Sequence, residues 1–118
     1  MRDLSFTGPH AVVRRWLLSA RVRAPYDVYA GKREHPRYPW DRTVDLKTRD
    51  RVIRVCGHDI SRSGLGVVCM DQLIEGERIA VRYHPMEAWV PGVIVHATRT
   101  NGAVTVGIAL KFDADLSA

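Results

Sequence analysis

Asn101-Gly102-Ala103-Val104-Thr105-Val106-Gly107-Ile108-Ala109-Leu110-Lys111-Phe112 is the stretch that decides the fold. Val104, Val106, Ile108, Leu110 and Phe112 fall on one face of an extended chain, and Thr105, Gly107, Ala109 and Lys111 on the other. That period of two predicts a strand with one buried face. Asn101-Gly102 is a two-residue hairpin signal, since both residues tolerate positive φ. Further back, Thr43–Lys47, Arg51–Cys56, Leu65–Met70, Arg78–Tyr83 and Trp89–Ala97 are short Val- and Ile-rich runs broken by turn residues. Strands with short links and no crossover helix predict a mainly β fold, a six-stranded antiparallel barrel.

The front of the chain reads differently. Over residues 10–21, Val12, Val13, Trp16, Leu17 and Ala20 form one stripe at helical spacing, with Arg14, Arg15 and Arg21 off it. Gly8-Pro9 suits the start of such a helix. Its stripe is expected to pack on the barrel or on a sister subunit. Residues 24–42 hold Pro25, Gly31, Pro36 and Pro39 and read as a loop. Each proline biases its predecessor toward an extended conformation, so Arg33 and Arg37 do not share a helical face.

A chain of 118 residues has room for one modest core, and 46% hydrophobic with 26% charged residues fits an ordinary soluble domain. Charge is unevenly placed. Residues 1–54 hold 13 Lys and Arg against 6 Asp and Glu, whereas residues 55–118 hold 5 against 7. A basic front half implies an anionic partner: a nucleotide, a nucleic acid, or an acidic surface. Cys56 and Cys69 both fall in strand-like runs and read as buried thiols of a reducing compartment. No apolar run approaches a membrane span, and Arg14 and Arg15 interrupt any secretory signal, so a cytoplasmic location is expected.

Two short motifs carry the chemistry. Arg33-Glu34-His35-Pro36-Arg37 supplies two guanidinium groups, whose planar forks match phosphate oxygens and the O6/N7 edge of guanine. Asp59-Ile60-Ser61-Arg62-Ser63-Gly64 lies between two strand-like runs. Its carboxylate can accept from the N1 and N2 donors of guanine or orient an arginine. Asp and Ser also bond their own backbone in turns, and Gly64 permits a left-handed conformation, so an ordinary hairpin turn accounts for this motif equally well. A solvated basic loop does the same for the first.

Taken together and in this order, RxxxR followed by DxSxxG resembles the signature of the PilZ domain, a small bacterial β-barrel family. The resemblance covers residues 30–112: Lys32 to Pro39 is similar to the family's arm entering its first strand, Asp59 to Gly66 to its second motif, and Gly107 to Phe112 to its closing strand. It implies a cytoplasmic, non-catalytic receptor for cyclic di-GMP that needs no cofactor. Arg33 and Arg37 would bind phosphates and guanine edges, often of an intercalated ligand dimer. Asp59 and Ser61 would contact guanine, with Gly64 as backbone element and Lys32 and Arg62 as auxiliary charges. Ligand would order the arginine-bearing arm and regulate a protein partner or self-association. Residues 1–29 would be helix and arm, and 30–118 the barrel domain. Many members continue into a C-terminal helix, whereas this chain stops six residues beyond Phe112. The upstream helix is expected to cover the barrel in its place or to serve as an output surface.

Other chemistries fit less well. Cys56, His58 and Cys69 lack the spacing of a metal site, because alternating strand residues point to opposite faces. His58, Asp59 and Ser61 are the ingredients of a hydrolase triad, but three residues of one turn do not form that hydrogen-bonded chain. The remaining alternatives are a basic barrel that stacks RNA or single-stranded DNA on Tyr38, Trp40 and Trp89, and a PilZ-like module that only contacts proteins.

Overall fold

The alternation read from the sequence becomes a closed sheet in the computed structural model, which describes residues 8–23, 36–83 and 85–111. Along the chain these residues form α1 (Pro9–Arg23), β1 (Tyr38–Pro39), β2 (Thr43–Lys47), β3 (Val52–Ile60), β4 (Gly64–Cys69), β5 (Arg78–Arg82), β6 (Val90–Thr100) and β7 (Ala103–Leu110). The strand order is β1-β3-β2-β5-β6-β7-β4, and β3 also pairs with β4. That last pairing closes β2 to β7 into a six-stranded antiparallel barrel and leaves those strands without an open edge. Asn101 and Gly102 take φ of 54° and 84° and turn the β6–β7 hairpin, as the Asn-Gly pair predicts.

Inside the barrel, Ile60, Leu65, Ile108 and Ile94 lie side by side across β3, β4, β7 and β6. Each is no more than 1% exposed. Leu46 and Val81, paired between β2 and β5, complete the opposite wall. Because successive strand residues point to opposite faces, fixing this inner row also fixes the outer row beside it, where the candidate site lies.

Three elements differ from the sequence reading. β3 continues past Cys56 through Ile60, so Asp59 belongs to a strand and not to a turn. Gly57 breaks the Val/Ile pattern without breaking the strand: its missing side chain lets the Trp40 and Arg42 backbone approach, and its N–H donates to the Arg42 carbonyl. The supposed loop over 24–42 contains β1, with Tyr38 opposite Ile60 and Pro39 opposite Asp59. Trp40 continues this register by donating its N–H to the His58 carbonyl, which leaves Pro39 at a non-hydrogen-bonded position where a missing N–H costs nothing, and the register slips by one residue between Trp40 and Thr43. Finally, Cys56 is exposed while Cys69 is buried, because Cys56 sits on the outward face opposite Val68.

α1 packs on the barrel. Val12, Val13, Trp16 and Ala20 are buried, and Leu17 is partly covered. Trp16 stacks on Trp40 with ring centroids 5.6 Å apart, and its indole N–H donates to Glu87 at 3.0 Å. Among the described residues, no helix is long and apolar enough to cross a membrane.

Replacing Trp16 by Ala removes the helix's central contact, so urea unfolding should show a loss of about 3–5 kcal/mol with the barrel retained. The cysteines should also separate by reactivity. Burial pushes the Cys69 thiol up from its ordinary value, which keeps it protonated and shielded. One thiol, Cys56, should react with an aromatic disulfide reagent at pH 8 in the native protein, and the second only after unfolding. Two equally fast thiols would contradict the assigned faces.

Candidate functional site

The outer row next to the barrel core runs Asp59–Gly66–Gly107–His96 across β3, β4, β7 and β6. Two of these four positions have no side chain. A Cβ at Gly66 would overlap Asp59 Oδ1, and one at Gly107 would overlap the His96 ring. The next outward row holds Gly64, Ala109 and Val93. The glycines make room for neighbouring side chains: the Asp59 carboxylate lies over Gly66 and the His96 ring over Gly107.

Asp59 stands at one end of the first row. Its carboxylate is buried and accepts a hydrogen bond from Arg37 Nη1 at 3.1 Å. Arg37 precedes β1, and the pairing of Tyr38 with Ile60 and of Pro39 with Asp59 brings its side chain over β3 and β4. The two sequence motifs are 22 residues apart and meet in this ion pair. A carboxylate 6% exposed beside a guanidinium 18% exposed is a pair whose partners depend on each other. Removing Arg37 leaves the buried carboxylate uncompensated, at a cost of about 1–3 kcal/mol.

Ser61 builds the turn that follows. Its Oγ accepts from the N–H groups of Ser63 at 3.3 Å and Gly64 at 3.1 Å, and its own N–H donates to the Gly64 carbonyl at 2.9 Å. The hydroxyl still has a proton to donate. Gly64 does not take the left-handed conformation expected for it, since positive φ among described glycines occurs at Gly76 and Gly102. Its requirement is space: a Cβ there would stand 3.0 Å from the Ile108 carbonyl oxygen and 3.4 Å from Arg37 Nη2. The arginine therefore lies across the glycine. Arg62 is exposed at the hairpin tip, and Lys32 and Arg33 lie outside the described residues.

The sequence reading missed Gly66 and Gly107 as site residues. Their signal was present in the alternation, since both occupy outward positions of strands whose inward neighbours are Leu65, Val67, Val106 and Ile108. An outward glycine looks like a neutral surface choice until the register sets two of them side by side. His58 is exposed whereas Asp59 and Ser61 are buried, so the three do not form a triad. The aromatics proposed for base stacking are engaged elsewhere. Trp40 is buried between Trp16 and Tyr83, Tyr38 lies under Arg21, and Trp89 is covered by Lys47 and by Arg82 at 4.2 Å.

The barrel stands with the family comparison, in which the model of the PilZ domain matches residues 31–118. The chain belongs to the PilZ domain family. α1 lies outside the matched residues. No curated protein matches the chain. Among solved structures, this PilZ chain is similar to the Bacillus subtilis inhibitor of motility MotI/DgrA, with TM-score 0.56 and 17% identity over 67% of this chain and 42% of that one. It is also similar to the PilZ domain of Escherichia coli YcgR solved with c-di-GMP, with TM-score 0.50 and 14% identity over 67% of this chain and 77% of that one. A third likeness is to Borreliella burgdorferi PlzA in complex with c-di-GMP, with TM-score 0.55, 16% identity and coverage of 87% and 41%. At these identities the likeness shows a shared fold, and the chain spans less than half of the Bacillus and Borreliella proteins.

Gly66 makes a specific demand on the PilZ site. Gly66→Ala should destabilise the protein by about 1–3 kcal/mol through overpacking against Asp59. In an Asp59→Ala background the same change should cost almost nothing, because the clashing carboxylate is gone. Equal costs in both backgrounds, measured by urea unfolding, would contradict the arrangement.

Proposed function

We propose that this PilZ domain is a non-catalytic receptor for cyclic di-GMP, bound through Arg33, Arg37, Asp59, Ser61 and Gly64. The observation that carries this reading is the meeting of Arg37, which lies across Gly64, with the buried Asp59 carboxylate, which lies over Gly66. A cyclic dinucleotide combines two phosphates with two flat purines. A guanidinium fork serves its phosphates and the guanine O6/N7 edge, and a carboxylate serves the N1 and N2 donors. The solved complexes of the YcgR PilZ domain and of PlzA with c-di-GMP support the same ligand class.

Binding acts on the arm. Arg37 already faces Asp59, so a ligand that engages Arg33 and Arg37 draws the arginine-bearing segment against the Ser61–Gly64 turn and orders it there. Tyr38, Pro39 and Trp40 follow Arg37 directly, and Trp40 stacks on Trp16 of α1. A change at Arg37 therefore reaches the helix through three residues. We propose that α1, with Leu18 and Val22 exposed on its outer side, presents the bound state to a partner protein or to a second copy of the chain. The likeness to an inhibitor of motility supports a protein partner as the output. An oligonucleotide would need open stacking aromatics, whereas Trp40 is buried and Tyr38 and Trp89 are half-buried with cations over their rings.

Calorimetric titration tests this reading, with GMP and a short oligonucleotide as controls. Cyclic di-GMP should bind saturably, and GMP and oligonucleotide should not. Replacing Arg33 or Arg37 by Ala should weaken binding about 5- to 150-fold, the equivalent of about 1–3 kcal/mol for a bidentate contact to guanine. Arg37→Lys keeps a positive charge beside Asp59 but loses the fork, and it should weaken binding while preserving stability. Saturable binding that survives both Arg37 substitutions would overturn the site, and a wild-type chain that binds only the oligonucleotide would overturn the ligand.

A further inference from the structure

The inner stripe of α1, Val12, Val13, Trp16 and Ala20, is taken up by the barrel. On the opposite side Arg14, Leu18, Arg21 and Val22 follow one another at i, i+4, i+7 and i+8, the spacing of a single helical face. All four are exposed, Leu18 by 53% and Val22 by 82%. Packing within the domain accounts for the first set and for none of the apolar surface in the second. The helix lies outside the residues matched by the family model, so this face is no part of the shared barrel.

The basic residues of α1 fall into two groups. Arg15 pairs with Glu87 at 3.4 Å and Arg23 with Asp41 at 3.8 Å, so both have acidic neighbours within the domain. Arg14 has no acidic partner among the described residues, and Arg21 lies over the Tyr38 ring. Pro9–Arg23 contains no acidic residue of its own. Arg14 and Arg21 stand seven residues apart, about 10.5 Å along the helix axis. Both border the Leu18–Val22 pair on the same side.

A second copy of the helix does not suit this face. Packing α1 on α1 here would bring Arg14 and Arg21 of both copies into one seam, with no carboxylate from either helix. A lipid surface suits it no better. The large apolar stripe is already buried on the barrel, which leaves two apolar side chains to insert, and the exposed Asp41 beside Arg23 would meet anionic headgroups. We propose that this face docks an acidic amphipathic helix of a partner protein. The partner's apolar stripe covers Leu18 and Val22, and its carboxylates, seven residues apart, meet Arg14 and Arg21. The inference rests on the reading of α1 as the output surface and narrows its partner to one chemistry.

The probe is a synthetic helical peptide with a leucine stripe flanked by two glutamates seven residues apart, and a twin with lysine in place of each glutamate. Each is titrated into the isotope-labelled full chain, with and without saturating cyclic di-GMP, and followed by nuclear magnetic resonance. The glutamate peptide should bind saturably to the cyclic di-GMP-loaded chain, with its largest shifts at Arg14, Leu18, Arg21 and Val22. Arg14→Glu combined with Arg21→Glu should weaken that peptide about 5- to 30-fold and strengthen the lysine twin. Leu18→Ser should weaken both peptides. All variants should keep the wild-type melting temperature and cyclic di-GMP affinity, since the replaced side chains are exposed and lie outside the ligand site. A chain that binds cyclic di-GMP but not the glutamate peptide would overturn the partner and leave the receptor reading intact. Peptide affinity that is the same with and without cyclic di-GMP would support the partner and overturn α1 as the output of ligand binding. Dimerisation abolished by Leu18→Ser, seen by sedimentation, would overturn the choice in favour of a second copy. Cosedimentation with phosphatidylcholine–phosphatidylglycerol vesicles, abolished by the double substitution, would overturn it in favour of a lipid surface.

Discussion

The ion pair between Arg37 and Asp59 is the constraint on which the site depends. A carboxylate 6% exposed at the edge of a barrel needs a partner, and among the described residues that is Arg37, from the segment that precedes β1. That pairing sets where the chain enters the sheet. Tyr38 and Pro39 then pair with the end of β3, and Trp40, which bonds His58 in the same register, enters the core against Trp16. Arm, barrel and helix are thus joined through one short run of residues. The same contact holds the guanidinium across Gly64.

The basic character of the front half is distributed in a way that sharpens this picture. Arg54 and Arg82 both approach Asp45, Arg51 approaches Asp71, and Arg15 approaches Glu87. Lys47 and Arg82 lie over the ring of Trp89. These cations serve local partners around the barrel, and exposed pairs of this kind contribute little to stability. Arg37 differs because its acidic partner is buried and because it lies across Gly64.

Much of the architecture was legible in the sequence because the barrel writes itself as alternation. The β7 run shows its inward face residue by residue, and Asn101-Gly102 names its turn before any contact is known. The helical stripe from Val12 to Ala20 was equally plain. Two motifs pointed to Arg37, Asp59, Ser61 and Gly64, although the physical reason differed at Gly64, where crowding replaced the expected left-handed turn. The extent of β3 was hidden by Gly57, which reads as a breaker alone and fits a strand only when Trp40 and Arg42 crowd its missing side chain. The outer row of the site was hidden for a deeper reason. Gly66, Gly107 and His96 become neighbours only through the β3–β4–β7–β6 register and its two bulges, which are tertiary facts with no local signature.

The most direct test is a nuclear magnetic resonance titration of the isotope-labelled chain with cyclic di-GMP. The account predicts that the largest shifts fall on the Arg37 side-chain N–H and on the amides of Asp59, Gly64, Gly66 and Gly107, with Trp16 and Trp40 indoles following. Shifts centred on Lys47, Arg82 and Trp89, or none at all at saturating ligand, would contradict it.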